Sequence, residues 1–145
     1  MTMLDLSKFQ ATGTETCFHD RHVGVDSERL VADYLGMPPM AVHEVTTFYN
    51  MYNQQPVGKF KLNVCTNLPC QLRGGQKALD HVCSRLGVEP YGSTADGTFT
   101  VQPSECLGAC ADAPVMLVND RHMCSFMSND KLDQLIDSLR TASKA

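Results

Sequence analysis

The sequence predicts an α/β fold, a domain of short strands and amphipathic helices preceded by a short helical hairpin. Three observations predict it. Apolar residues alternate from Phe60 to Val64 as they do in a strand. Stripes at helical spacing stand both before and after that run. Two closely spaced cysteine pairs each follow a strand-like segment.

The helices come first. Asp26 or Ser27 caps a helix with Leu30, Val31, Tyr34 and Leu35 on one face, and Gly36 ends it. Pro38-Pro39 suits the first turn of a second helix, because proline's missing N–H is no loss there. Val42, Val45, Phe48 and Tyr49 repeat along that helix, which is expected to end near Tyr52, with Phe48 and Tyr49 in a core or an interface. Gln54 to Gly58 reads as a connector. The expected organisation is therefore an unassigned tail over 1–25, a helical segment over 26–55, and a domain over 57–145.

Within that domain Phe60, Leu62 and Val64 alternate with Lys59, Lys61 and Asn63, a half-buried strand that runs into Cys65. A helix then carries Leu79, Val82, Cys83 and Leu86 inward and stops at Gly87. Ala95-Asp96-Gly97 is a turn, and Phe99 and Val101 form a strand leading toward Cys106. Val115 to Val118 and His122 to Phe126 read as a hairpin around Asn119-Asp120. Ser128 or Asn129 caps a last helix with Leu132, Leu135, Ile136 and Leu139 facing inward.

Composition narrows the function. The chain has 145 residues, enough for one ordinary domain with a helical appendage. Its hydrophobic share of 43% and charged share of 19% are those of a folded protein. A net charge of −4 lacks the basic footprint of nucleic-acid binding, so no nucleic acid is expected as a partner. The apolar runs are far shorter than the roughly 20 residues needed to span a bilayer. No signal-peptide pattern stands at the start, so cytoplasmic residence is expected. In a reducing compartment seven cysteines read as ligands or reactive groups rather than disulfides.

Cys65-Thr-Asn-Leu-Pro-Cys70 and Cys106-Leu-Gly-Ala-Cys110 are spaced Cys-x4-Cys and Cys-x3-Cys. Two short loops brought together by a sheet could give two thiolates to each iron of a [2Fe–2S] cluster. Structural zinc uses similar pairs, so spacing alone leaves both metals open, and unligated buried cysteines with them. Cys70 is expected just before a helix starting near Gln71, where the dipole would ease formation of its thiolate. Gly108 is expected to take positive φ and turn amide hydrogens toward the sulfurs, and Thr66 and Asn67 could add side-chain hydrogen bonds.

Longer motifs go further. Val-Cys65-Thr-Asn-Leu-Pro-Cys70 with Leu72-Arg73-Gly74, Glu105-Cys106-Leu-Gly-Ala-Cys110, Ala113-Pro114-Val-Met116, Thr47-Phe48-Tyr49, Pro56-Val57-Gly58-Lys59 and Asp96-Gly97-Thr98-Phe99-Thr100 stand in one order. The chain resembles the thioredoxin-like [2Fe–2S] subunit, NuoE type, of respiratory complex I, NADH:quinone oxidoreductase, over residues 24 to about 140. The resemblance implies a thioredoxin-like [2Fe–2S] ferredoxin domain, a small mixed sheet flanked by helices, with Cys65, Cys70, Cys106 and Cys110 as ligands of the cluster iron. Family members usually carry further helices before the position of Gly24, often with a Trp near the junction. This chain has no Trp.

The implied function is electron transfer in that oxidoreductase, with FMN and NADH on a partner subunit and no catalysis by this chain alone. The sequence agrees, having no Gly-x-Gly-x-x-Gly or Walker-type loop. Implied partners are the flavin/NADH-binding subunit and other peripheral-arm subunits. The implied location is cytoplasmic, on the inner face of the bacterial plasma membrane through the complex, without direct membrane insertion. The alternatives are the equivalent subunit of an NAD-linked formate dehydrogenase or bidirectional hydrogenase, and, in another class, a zinc-stabilised interaction module.

Other side chains read as structural. Cys83 and Cys124 are small core residues, with His122-x-Cys124 a remote metal option, and Cys17 in the tail is given no role. His43-Glu44 lacks the second histidine of a zincin helix and belongs to a helix surface. Arg73 is expected as a solvated side chain, although it could lend positive charge to an anionic cluster.

Overall fold

The computed structural model describes residues 22–144. The expected tail lies outside the described residues up to position 21, Cys17 included. The chain divides into two compact units, one ending at Pro56 and one beginning at Val57.

In the first unit α1 spans Val25–Leu35 and α2 spans Pro39–Phe48. Gly36 closes α1 at φ 66°, and the Met37 N–H donates to the Ala32 carbonyl at 3.0 Å. Pro38 caps α2 and Pro39 opens it. The buried face of α1 is Glu28 and Ala32, while Tyr34 and Leu35 are exposed. Leu30 and Val31 are half-buried, so the apolar stripe marks the inner face only in part.

The reason is a polar contact. Nδ1 of His43 lies 2.9 Å from a Glu28 carboxylate oxygen, and the Thr46 hydroxyl donates to the same carboxylate. His43 thus turns toward α1 and is not plain helix surface. α2 stops at Phe48 instead of reaching Tyr52, and Phe48 and Tyr49 are exposed rather than packed into a core of this unit.

The second unit is built on a four-stranded mixed sheet. β1 (Phe60–Cys65) lies between β2 (Phe99–Ser104) and β3 (Met116–Val118), and β4 (His122–Cys124) completes the order β2-β1-β3-β4. β1 and β2 are parallel with Cys65 opposite Ser104, whereas β3 runs antiparallel to β1 and to β4. The short α3 (Leu68–Leu72) and then α4 (Gly75–Leu86) connect β1 to β2, and α5 (Asn129–Lys144) ends the fold. Leu62, Val64, Phe99, Val101 and Met116 pack against Ala78, Val82, Leu132 and Ile136 in one core. The expected helical stripes face it.

β1 departs from the expected half-burial: Lys61 and Asn63 on its other face are also buried, at 0% and 2% exposure. A central strand has neighbours on both edges, and the Asn119-Asp120 hairpin supplies the polar partners. Lys61 Nζ lies 3.2 Å from Asp120, Asn63 donates to Asp120 at 2.6 Å, and the Lys61 N–H donates to Asn119 Oδ1 at 2.8 Å. β4 ends at Cys124 rather than Phe126, because Phe126 takes φ 53° and donates its N–H to the Asp112 carbonyl. Ser128 caps α5, its Oγ accepting the Lys131 N–H at 3.4 Å.

Candidate metal centre

β1 carries Cys65 to the end of the sheet, where its N–H donates to the Val115 carbonyl at 3.1 Å. The next residue ties this loop to β2, since the Thr66 N–H and hydroxyl both donate to the Ser104 carbonyl, at 2.9 and 3.3 Å. The Thr66 hydroxyl is thus committed to backbone. Asn67 then caps α3, with Pro69 in its first turn.

Cys70 consequently lies inside a short helix, not ahead of one, and is 1% exposed. Burial, then the hydrogen bond and charge of Cys65, push its thiol up to about 11 against an opposing Val115 N–H. The expected easing of its ionisation is reversed. Desolvation of the charged form is the largest cause. A metal bound here must displace that proton, since the thiolate is the ligand.

Gly75 is a site residue that sequence reasoning missed. A Cβ there would stand 2.6 Å from the Cys65 carbonyl oxygen and 2.9 Å from that of Cys70. Only glycine lets α4 begin against this loop, and Gly74 before it takes φ 94°. The doubled glycine just after Cys70 was the available signal.

The second pair leaves β2. Cys106 is exposed, and Cys110 is exposed at the start of a single 3₁₀ turn over Cys110–Asp112. Gly108 takes φ 74° as expected and donates its N–H to Cys106 Sγ at 3.4 Å. Arg73, though exposed, donates to the Ala111 carbonyl at 2.8 Å, which clamps this loop to the junction of α3 and α4.

The two loops meet. Cys65 Sγ donates to the Glu105 carbonyl at 3.8 Å. Cys65 and Cys70 share an apolar cluster with Ala113 and Val115, and Leu107 and Ala109 of the second loop pack against it. Ala113-Pro114 is a cis peptide bond. The first loop thus makes a buried floor and the second an exposed rim.

Among the described residues no three His, Cys, Asp or Glu side chains close on one point as ligands of a single ion do. Zinc takes four sulfurs at about 2.3 Å from one centre and a diiron core takes two thiolates on each iron, so two sulfur pairs beside an apolar cluster suit either metal.

Cys83 and Cys124, the other cysteines among the described residues, lie elsewhere. Cys83 packs against the main core, its thiol pushed up by burial and then by Asp80 and Glu89. Cys124 also packs there, and burial pushes its thiol up. His122 beside it is exposed.

The chain matches the model of the thioredoxin-like [2Fe–2S] ferredoxins over residues 11–140. It belongs to that family. A relative from Rickettsia conorii, named as the E-type subunit of NADH-quinone oxidoreductase, is 37% identical over 140 residues, covering 97% of this chain and 78% of that protein. The second E-type subunit of the NADH-quinone oxidoreductase of Rhizobium meliloti is 40% identical over 114 residues, covering 79% of this chain and 67% of that one. The crystal structure of an NAD+-reducing [NiFe]-hydrogenase in the air-oxidised state shares the fold at TM-score 0.68 and 20% identity, over 81% of this chain and 20% of that chain. Of the two metals left open by the cysteine spacing, the family carries the [2Fe–2S] cluster.

Proposed function

We propose that this chain is the electron-transfer subunit of an NADH:quinone oxidoreductase, with one [2Fe–2S] cluster held by Cys65, Cys70, Cys106 and Cys110 beside the flavin/NADH-binding subunit. The observation that carries this is the meeting of the two cysteine loops over one apolar cup, in a chain whose relatives bear the name of that subunit. Likeness to the hydrogenase chain is one of fold and does not favour the hydrogenase reading.

When bound, the cluster supplies one-electron chemistry. The residues of this chain divide the remaining work. Cys65 and Cys70 hold the group where water is excluded, and Gly75 lets α4 close that floor. Gly108 sets the turn between the rim cysteines, and Arg73 holds their loop in place. The exposed Cys106 and Cys110 turn the centre's edge outward, toward the partner that exchanges electrons with it.

Among the described residues no helix is long and apolar enough to cross a membrane. The chain reaches the inner face of the bacterial plasma membrane through the other peripheral-arm subunits. The test is purification of the tagged chain from its own cells. FMN and NADH-oxidising activity are expected to come with it, while the chain separated from its partner oxidises no NADH. A chain recovered from intact complex without flavin contradicts the proposal.

A further inference from the structure

We propose that the hydroxyl of Ser104 donates a hydrogen bond to the sulfur of Cys65 when that sulfur is a cluster ligand, and thereby raises the reduction potential of the centre. The inference rests on the function proposed above and assigns to that site a donor outside the four cysteines.

Ser104 is the last residue of β2 and stands opposite Cys65, the last residue of β1, in parallel register. Paired residues of parallel strands turn their side chains to the same face, and successive residues turn theirs to opposite faces. Phe99 and Val101 of β2 enter the main core with Leu62 and Val64 of β1. Thr100, Gln102 and Ser104 therefore share the other face with Lys61, Asn63 and Cys65. On that face Cys65 packs with Cys70, Ala113 and Val115. The Ser104 side chain is thus set beside the first cysteine of the cup.

The backbone around it is already committed. The Ser104 carbonyl accepts both the N–H and the hydroxyl of Thr66, so the donor that the sequence suggested for the sulfurs is used up. The Ser104 hydroxyl is not. Its oxygen is buried, in a residue only 7% exposed, and has no hydrogen-bond partner among the described residues. A buried hydroxyl without an acceptor destabilises a fold, and few survive in native proteins.

Ligation creates the missing acceptor. As a thiol, Cys65 directs its S–H to the Glu105 carbonyl at 3.8 Å. As a ligand it is a thiolate, which has no hydrogen to donate and accepts instead. The sulfur that turns from donor to acceptor is the one in register with the unpartnered hydroxyl. Hydrogen bonds to a charged acceptor are stronger than neutral ones. Reduction adds negative charge to the centre, so a donor at its ligand sulfur favours the reduced form, and the potential rises.

The test is an EPR-monitored redox titration of the cluster-loaded full chain. Ser104→Ala is expected to lower the reduction equilibrium about threefold to tenfold, a shift of about 30–60 mV at 59 mV per tenfold for one electron. Ser104→Thr and Ser104→Val, matched in shape, repeat the comparison: the first should stay with the unmutated chain and the second move with Ser104→Ala. Urea unfolding of the cluster-free chain separates this role from a structural one. There Ser104→Ala should be at least as stable as the unmutated chain, because it removes a buried group that has no partner. An unchanged potential in fully loaded Ser104→Ala and Ser104→Val overturns the hydrogen bond and leaves the cluster assignment standing. So does a cluster-free Ser104→Ala that loses stability, since the hydroxyl would then be bonded within the fold. An unmutated chain without iron and sulfide contradicts the function proposed above, a result distinct from a loaded chain of unchanged potential.

Discussion

The two cysteine loops hold opposite mechanical positions in the fold. The first leaves β1, the central strand, and is pressed between that strand and α4, so that Cys65 and Cys70 are 2% and 1% exposed. The second leaves β2, an edge strand, and is held from outside by Arg73 and by the Gly108 turn. Cys106 and Cys110 remain exposed on it. The two loops therefore contribute unequally to the fold: the floor is part of the packed structure, while the rim is tied to it.

Removing one ligand from each loop should separate these roles. Cys65→Ser and Cys106→Ala are both expected to leave little or no intact cluster, read as lost visible absorbance. Cys65→Ser puts a hydroxyl into an apolar cup and should destabilise the metal-free fold by about 1–3 kcal/mol in urea unfolding. Cys106→Ala removes an exposed group and should change it by no more than about 0.5 kcal/mol. Cys83→Ala should retain the cluster. Loss of the cluster in Cys83→Ala alone would mean that the wrong sulfurs have been assigned.

A smaller effect is expected where the floor meets α4. Gly75→Ala gains at most about 1 kcal/mol in helix propensity. The added methyl meets the Cys65 and Cys70 carbonyls, and overpacking of this kind costs about 1–3 kcal/mol. A net loss of stability and a lower iron content are expected. A fully loaded and more stable variant would show that the loop shifts freely.

The smallest effect concerns the turn that feeds the edge strand. Hydrogen bonds from the Thr94 hydroxyl and then from Thr98 hold the Asp96 carboxyl down to about 2. A folded-state value below the unfolded one stabilises fully above the unfolded value and is lost as pH falls through the folded one, here from about 4 toward 2. Asp96→Asn should lower Tm slightly near neutral pH, with the difference vanishing toward the acid end of that window and no change in cluster content.

Much of the second unit was legible because its apolar stripes face a real core. Leu79, Val82, Leu132 and Ile136 meet Leu62 and Val101 there. The ligand candidates were legible from two spacings and the motifs around them, although spacing alone left zinc open. Three features were hidden for physical reasons. Glu28 is buried by His43 and Thr46, which an apolar stripe on α1 does not register. Lys61 and Asn63 read as a solvent face until the hairpin supplies Asp120. Cys70 was expected ahead of a helix starting near Gln71, yet Pro69 lies in the first turn of α3, which begins already at Leu68.

The central claim is that four thiolates in two loops hold one diiron centre, and metal and sulfide analysis of the anaerobically purified chain tests it most directly. About two iron and two acid-labile sulfide per chain are expected, in a reddish-brown protein that dithionite bleaches. A colourless protein with about one zinc and no sulfide would contradict it.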